Sequence, residues 1–205
     1  MDTLNYIIEK YNIDLSKESP FEIQCSRWRE LPFLFKELGF KIGAEVGVLK
    51  GEWSENLFKN IPDLEMYCID KWQNYEGTAM WSQERLDRYI QSARKRLGNY
   101  NCTIIEKWSM DAVKDIKDGY LDFVYIDANH TFQYVVNDVA EWEKKVRKGG
   151  IVSGHDFFTK YRGRNLIVHV EDVIRAWTKI YNIHPWFILK DSRLSKSISW
   201  MWVKQ

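Results

Sequence analysis

The sequence predicts an α/β protein built on a doubly wound, mostly parallel β-sheet. Short apolar runs typical of buried strands alternate with stretches of helical periodicity five times along the chain. The clearest strand is at residues 121–126, where Phe, Val, Tyr and Ile follow one another without interruption, as in a sheet covered on both faces. A short polar link at residues 190–197 joins two final apolar runs and indicates a hairpin, which adds a closing antiparallel pair.

Each element has a local signal. Apolar side chains recur at helical spacing in the predicted helices, at residues 1–12, 28–38, 52–60, 83–97, 111–117, 132–146 and 168–181. The predicted strands lie at residues 41–46, 65–69, 102–107, 121–126, 151–153, 185–189 and 198–203. Pro62 stops the third helix, and the pair Gly149 and Gly150 ends the sixth. We expect one domain over residues 1–205, with N-terminal helices in residues 1–40 and the core in residues 41–205.

The composition is globular and excludes several classes of protein. Of the 205 residues, 45% are hydrophobic and 29% charged, and the net charge is +1, so no bulk attraction to nucleic acid or to a membrane is expected. No apolar run is long enough to span a bilayer, and the first ten residues are too charged for a signal peptide. The three cysteines (Cys25, Cys68 and Cys102) have no metal-ligand spacing, which favours a cytoplasmic location. The oligomeric state stays open.

Residues 43–54 form a ligand cradle in this prediction. A strand runs through Gly47 and Gly51 into a helix, and a helix N-terminus offers free backbone N–H groups. Gly47 has no Cβ to keep a ligand from the backbone, and Ser54 adds a hydroxyl. The spacing lacks the first glycine pair of the dinucleotide fingerprint. Glu45 puts a carboxylate at the strand end, which favours a ligand that carries positive charge.

Other polar residues follow the remaining predicted strands. Asp70 comes 25 positions after Glu45, close to the spacing at which an acid binds a ribose diol. Because parallel strands end at one edge of a sheet, we expect all of these side chains to meet there. They are Glu45, Asp70, Ser109, Asp127, His130, His155 and Asp156.

Five motifs together carry a resemblance to a known family. They are Glu-Val-Gly-Val-x-x-Gly-x-x-Ser, the strand-end Asp70, Tyr-Ile-Asp-Ala-Asn-His-Thr-Phe followed by Asp138 and Trp142, Lys-Gly-Gly-Ile-Val-x-Gly-His-Asp-Phe, and Ser-Trp-Met-Trp-Val-Lys. Over residues 40–203 the chain resembles the class I S-adenosylmethionine-dependent methyltransferases, and most closely methyltransferase family 24, which is related to macrolide and sugar O-methyltransferases. The resemblance implies a Rossmann-like seven-stranded sheet with an antiparallel last strand, and S-adenosylmethionine as cofactor. It also implies a small hydroxylated acceptor, such as a sugar.

The resemblance also implies roles for individual residues. Glu45 and Gly47 would face the methionine part of the cofactor, and Gly51 and Ser54 would complete that loop. Asp70 would bind the ribose hydroxyls. The remaining assignments are Trp72 or Met110 packing on adenine, Ser109 near the adenine edge, and Asp127 beside the transferred methyl group.

The chemistry of methyl transfer to a hydroxyl requires a base. His130 is the first candidate, because the pKa of histidine is naturally near neutrality. His155 and Asp156 stand where metal-dependent O-methyltransferases carry an Asp-Asn pair, and with Asp127 they would hold Mg²⁺. Histidine is a poor Mg²⁺ ligand, so two alternatives stay open: His155 is itself the base, or the pair only supports the turn.

Three further segments have weaker signals. The aromatic stretch at residues 72–82 is interpreted as a lid or a wall of the acceptor pocket, or as a surface loop held by its own rings. The basic stretch at residues 160–164 is a loop that either clamps an acidic acceptor or serves solubility. Arg27 and Arg29, which flank Trp28, are expected at a solvated helix start.

Two other functions compete with methyl transfer. One is an oxidoreductase that uses NAD or a nucleotide sugar on a similar sheet, against which the glycine spacing and the closing hairpin argue. The other is a module that binds the cofactor without turnover.

Overall fold

The computed structural model describes residues 2–75, 81–162, 166–191 and 198–205. Its helices are α1 (Thr3–Tyr11), α2 (Glu30–Glu37), α3 (Glu52–Asn60), α4 (Gln83–Leu97), α5 (Ser109–Ala112), α6 (Phe132–Lys145) and α7 (Val170–Ile180). Its strands are β1 (Phe21–Gln24), β2 (Ile42–Val46), β3 (Glu65–Ile69), β4 (Cys102–Ile105), β5 (Leu121–Ile126), β6 (Val146–Gly154), β7 (Thr159–Arg162), β8 (Leu166–His169), β9 (Trp186–Lys190) and β10 (Ser199–Val203).

Eight of the described strands form one sheet in the order β1-β9-β10-β6-β5-β2-β3-β4. Every neighbouring pair is parallel except those of β10, which is antiparallel to both β9 and β6. The predicted α/β class, the mostly parallel sheet and the antiparallel last strand are therefore confirmed. The strand count is eight rather than seven, because β1 adds a parallel edge strand beside β9. A four-residue strand with one buried side chain, Ile23, gives too little pattern to predict.

The region after β6 also differs from the prediction. Residues 159–162 form β7, which pairs antiparallel with β8, so the predicted basic loop begins as a strand. The predicted helix from residue 168 begins instead at Val170 in α7. The sequence Leu-Ile-Val-His of β8 is rich in β-branched residues, which fit a strand as well as a helix start. Gly163 and Arg164 of the predicted clamp lie outside the described residues.

Helices cover the sheet on both faces, as a doubly wound fold requires. Buried side chains of α1 to α4 form one hydrophobic core, and those of α5 to α7 form another on the opposite face. β5 serves both cores by alternation: Phe123 and Tyr125 point to the first, and Val124 and Ile126 to the second. Phe35 of α2 stacks on Phe123 with ring centroids 4.3 Å apart, which fixes the N-terminal region against the sheet centre.

The carboxyl ends of the central strands are joined by backbone hydrogen bonds that continue past the strands. Gly47 N donates to the Ile69 carbonyl at 2.8 Å, and Asp127 N donates to the Val46 carbonyl at 2.8 Å. The loops that follow β2, β3 and β5 therefore leave the sheet side by side. In the part of the chain that the structure describes, no helix is both long enough and apolar enough to cross a bilayer.

Candidate active site

A cavity of about 330 Å³ opens at the carboxyl ends of the central strands. Its size is in the range of small-molecule and cofactor sites. Seven of the residues predicted for the site line it: Glu45, Gly47, Asp70, Trp72, Ser109, Asp127 and His130. The shared edge of the parallel sheet is what brings together residues that lie up to 85 positions apart, from Glu45 to His130.

The other predicted residues are not among the described residues that line the cavity. Gly51 begins α3 with a φ of 73°, and Ser54 is fully buried. Met110 packs against the core on the side of α5 to α7. His155 and Asp156 form an adjacent pair, with His155 Nδ1 2.8 Å from Asp156 Oδ1. These positions do not bring the five residues to the described cavity wall, and their predicted roles remain predictions.

Glu45 presents a buried carboxyl group to the cavity. It is 3% exposed, and the Ser54 hydroxyl donates a hydrogen bond to its Oε2. Burial raises the pKa of Glu45 to about 8, although the Ser54 hydrogen bond and the charge of Arg27 act to lower it. A cationic group in the cavity would favour the ionised form, so this carboxyl group is suited to an ammonium ligand.

Asp70 ties two loops of the site together. Its Oδ2 accepts from Leu49 N at 2.9 Å, and its Oδ1 accepts from Trp72 N at 2.8 Å. Burial raises the pKa of Asp70 despite these and other backbone hydrogen bonds. Asp70 therefore presents a carboxylate, the type of acceptor that a diol requires, at the cavity wall.

Gly47 is required by the backbone around it. Its φ is 99°, and a Cβ atom there would lie 2.1 Å from the Asp127 carbonyl oxygen. The glycine is therefore needed for the close passage of the loop after β2 beside the end of β5. Gly47 also lines the cavity, and the ligand contact that the sequence predicts there stays a prediction.

Aromatic rings form much of the remaining wall. Trp72 Nε1 donates to the Leu49 carbonyl at 2.7 Å, and Tyr75 packs on Trp108 with ring centroids 4.8 Å apart. Within the predicted lid, residues 76–80 lie outside the described residues. On either side of them, the Asn74 side chain bonds to the Trp81 carbonyl at 2.6 Å and to Trp81 N at 3.2 Å. These bonds hold the two ends of the segment together.

Ser109 is committed to partners within the protein. Its hydroxyl donates to Asp138 Oδ1 and accepts from Trp142 Nε1, the latter at 2.8 Å. Burial raises the pKa of Asp138 to about 7, against the opposing effect of the Ser109 hydrogen bond. These hydrogen bonds hold Ser109 on the cavity wall, and its hydroxyl hydrogen is already donated to Asp138.

Two acids and two histidines meet at the end of the cavity nearest β5 and β6. His130 Nε2 lies 3.4 Å from Asp127 Oδ1 and 3.5 Å from Asp156 Oδ2. His155 Nδ1 lies 3.8 Å from Asp127 Oδ1, in addition to its contact with Asp156. Ligand-type atoms of Asp127, His130 and Asp156 all lie within 4.8 Å of one another, so the metal-ligand set by geometry contains His130 in place of the predicted His155.

The charged forms of His130 and Asp127 stabilise each other. Burial is the largest effect on both groups, but for Asp127 it is outweighed by His130, His155 and Arg27, which hold its pKa well below the usual range. For His130, burial lowers the pKa, but Asp127 and the charges of Asp156 and Asp138 outweigh this effect and raise the pKa overall. The group at position 127 is therefore a carboxylate at neutral pH.

Arg27 is the functional candidate that the sequence analysis missed. Its side chain is 14% exposed and lines the cavity, and its Nη1 lies 2.7 Å from Asp127 Oδ2, so the predicted solvated helix start is wrong for this residue. Its Nε–H is buried and has no hydrogen-bond partner among the described residues, a costly state that points to a functional constraint. The pairing joins residues 100 positions apart, and local sequence carries no signal for it.

Comparison with solved structures shows the fold. A provisional caffeoyl-CoA O-methyltransferase from Staphylococcus aureus matches with a TM-score of 0.67 and 16% identity, over 98% of this chain and 90% of that chain. An O-methyltransferase from Bacillus cereus, solved in complex with SAH, matches with a TM-score of 0.61 and 16% identity, over 100% of this chain and 91% of that chain. At these identities the likeness concerns the fold alone.

Comparison of sequences shows the family. The uncharacterized protein y4gI of Sinorhizobium fredii is 22% identical over 121 residues, which are 59% of this chain, and the chain spans 12% of that curated relative. Residues 44–157, more than half of the chain, match the family model described as a methyltransferase domain. This match confirms the resemblance carried by the five motifs. The chain therefore belongs to methyltransferase family 24, a branch of the class I S-adenosylmethionine-dependent methyltransferases.

Proposed function

We propose that this chain transfers a methyl group from S-adenosylmethionine to a hydroxyl of a small acceptor, such as a sugar. The observation that carries the proposal is the single cavity that joins Glu45 and Asp70 to Asp127 and His130. Glu45 suits the ammonium group of S-adenosylmethionine, and Asp70 suits its ribose hydroxyls. The other two suit the proton chemistry of an acceptor hydroxyl.

The cofactor occupies the part of the cavity between β2 and β3 in this proposal. Glu45 binds the ammonium group, oriented by the buried hydroxyl of Ser54. Asp70 accepts hydrogen bonds from the ribose hydroxyls. Trp72 supplies an aromatic face for the adenine, and Ser109 lies on the wall beside it. Met110 acts from behind that wall, through packing.

His130 is the better candidate for the base. It lines the cavity together with Asp127, whereas His155 is not among the lining residues in the described part of the chain. Asp127 and Asp156 both lie beside His130 Nε2 and stabilise the imidazolium that forms when the ring takes the acceptor proton. His155 then holds Asp156 in place.

The reaction proposed is a direct displacement. When bound, S-adenosylmethionine would supply the methyl group to the acceptor oxygen and would leave as the neutral thioether, while His130 would take the proton that this oxygen loses. The acceptor oxygen, the methyl carbon and the sulfur must lie in line, so positioning within the aromatic-lined cavity supplies much of the rate. No described residue needs to form a covalent intermediate.

The predicted Mg²⁺ site does not fit the residues present. Mg²⁺ requires near-octahedral oxygen ligands, and here one oxygen of Asp127 is already held by the Arg27 guanidinium at 2.7 Å. His155 Nδ1 is bonded to Asp156 at 2.8 Å and lies 3.8 Å from Asp127, beyond hydrogen-bond distance, and an imidazole nitrogen is a poor ligand for Mg²⁺. The proposed mechanism therefore contains no metal step.

Two measurements test the proposal. Thermal shifts with S-adenosylmethionine and with NAD identify the cofactor, and we expect stabilisation by the first only. A screen of sugars and phenols for production of S-adenosylhomocysteine then identifies the acceptor class. Stabilisation by NAD alone would establish the oxidoreductase alternative. Binding of S-adenosylmethionine with no turnover on any hydroxylated acceptor would indicate a non-catalytic module.

A further inference from the structure

We propose that Arg27 takes the place of a divalent cation at the acceptor end of the site. The Asp127 cluster, which consists of Asp127, His130, His155 and Asp156, then works without a metal. The inference concerns a residue outside the predicted site and the charge balance of the cluster. Its catalytic consequence rests on the proposed methyl transfer, whereas the exclusion of metal is a binding property that can be measured without an acceptor.

The first argument is the pairing of the carboxylate oxygens. Asp127 Oδ2 accepts from Arg27 Nη1 at 2.7 Å, and Asp127 Oδ1 faces His130 Nε2 at 3.4 Å. Asp156 Oδ2 faces the same nitrogen at 3.5 Å, and Asp156 Oδ1 faces His155 Nδ1 at 2.8 Å. Each of the four oxygens thus faces a nitrogen that can donate a hydrogen bond, and His130 Nε2, which carries at most one hydrogen, is shared between two of them. A metal ion would have to displace such donors to gain ligands.

The second argument is that Arg27 is held in place. Its guanidinium lies over the Trp28 ring at 4.9 Å and over the Tyr125 ring at 5.7 Å from the centroids. Trp53 Nε1 donates to the Arg27 carbonyl at 3.2 Å, so α3 fixes the backbone as well. A residue that is held by its backbone, by two rings and by an ion pair does not leave readily for an incoming cation.

The third argument is charge. A guanidinium stays protonated at any physiological pH and neutralises the carboxylate of Asp127 that it contacts. The spacing of Asp127, His130 and Asp156, within 4.8 Å, would otherwise suit a cation. Arg27 thus acts as a positioning residue: it orients Asp127 toward His130 and supplies a positive charge beside Asp127 without Mg²⁺.

The experiment compares the wild-type protein with Arg27→Met, which keeps the aliphatic stem and removes the charge. Mn²⁺ binding is titrated by electron paramagnetic resonance of the free ion, in the absence of acceptor. We expect no saturable binding by the wild-type protein and the gain of a saturable site in Arg27→Met. Equal binding by the two proteins, or binding by neither, overturns the proposal, because Arg27 would then not be what excludes the metal.

Arg29→Met is the matched control. Arg29 lies in the same loop and pairs with an acid in the same way, with its Nη2 2.9 Å from Asp191 Oδ1, but this acid is outside the cluster. We expect Arg29→Met to behave as the wild-type protein in the Mn²⁺ titration. A gain of Mn²⁺ binding by this variant as well overturns the specific role of Arg27.

Turnover with and without a chelator completes the test. We expect the wild-type rate to change less than about twofold with EDTA, and a fall of about tenfold or more overturns the proposal. This arm and the wild-type Mn²⁺ titration need no variant, so misfolding of Arg27→Met cannot remove the test. Failure to detect methyl transfer with any acceptor would count against the proposed function, while the Mn²⁺ titration would still decide the metal question.

Discussion

Trp72 Nε1 donates a hydrogen bond to the backbone carbonyl of Leu49 at 2.7 Å, and this bond joins the loop after β3 to the loop after β2. Asp70 strengthens the same connection, because its two oxygens accept from the backbone N–H groups of these two residues. The proposed methionine and ribose contacts therefore lie on loops that are fixed relative to each other before any ligand binds.

Asp70→Asn should weaken cofactor binding more than it weakens the fold. An amide has one acceptor oxygen where the carboxylate has two, so one backbone donor loses its partner and the ribose loses a charged acceptor. We expect a loss of about 1.5–3 kcal/mol in S-adenosylmethionine affinity, measured by calorimetry.

Asp122→Asn is the control for this change. Asp122 Oδ2 also accepts from two backbone groups, Lys41 N at 2.6 Å and Ile42 N at 2.9 Å, but at the opposite end of β2. It should lower stability and leave cofactor affinity unchanged. If the two variants lost cofactor affinity equally, the assignment of Asp70 to the ribose would be wrong.

Glu45 should make the stability of the ligand-free protein fall as pH rises. The pKa of Glu45 is raised to about 8 in the folded state, so between its ordinary value of 4.5 and pH 8 the folded state binds more protons than the unfolded state. The stability that the protonated group contributes is complete below pH 4.5 and is lost as the pH rises to about 8, by roughly 1.4 kcal/mol per pH unit. Urea unfolding of wild type and Glu45→Gln at several pH values measures the difference, which should vanish in acid.

Cofactor affinity should show the opposite pH dependence. An ammonium ligand needs the ionised form of Glu45, so binding of S-adenosylmethionine should strengthen as pH rises toward 8 and release protons in calorimetry. Glu45→Gln should bind more weakly at every pH and release fewer protons. An unchanged proton release would show that Glu45 does not contact the ammonium group.

Gly47→Ala should be among the most destabilising single changes at the site. The new Cβ would lie 2.1 Å from the Asp127 carbonyl oxygen, and the φ of 99° is strained for alanine. Together these effects should cost roughly 2–6 kcal/mol in the free energy of unfolding. Gly39→Ala is the control, since Gly39 has a φ of 71° with nothing within 4 Å of the added Cβ, and it should cost only about 1–2 kcal/mol. Equal costs would mean that the close passage at Gly47 is absent in solution.

His130→Gln should separate chemistry from binding. If His130 takes the acceptor proton, the turnover number should fall by about 10²–10⁴-fold while S-adenosylmethionine affinity stays unchanged. His155→Gln should have a smaller effect, because His155 acts through Asp156. A larger loss at His155 than at His130 would reverse the assignment of the base.

The sequence predicted the convergence of the site because one geometric rule governs it. Parallel strands end at a common edge, so Glu45, Asp70, Asp127 and His130 could be assigned to one cavity from their positions after strands alone. Chain position does not give the direction of a side chain. Ser54 and Met110, for example, follow β2 and β4 in the chain, but neither is among the described residues that line the cavity.

The features that sequence did not predict depend on contacts between distant residues. β1 exists as a strand because it pairs with β9, more than 160 positions away, and its four residues carry too little pattern of their own. Arg27 becomes a site residue only through Asp127, and beside Trp28 its sequence context is that of any solvated helix start. Such pairings are decided by tertiary packing, which local propensity does not record.

The most direct test of the account is a crystal structure of this protein with S-adenosylhomocysteine. We expect the amino group within hydrogen-bond distance of Glu45, the ribose hydroxyls at Asp70, and the sulfur directed toward Asp127 and His130. A ligand bound outside this cavity, or bound in it with its ribose away from Asp70, would contradict the account.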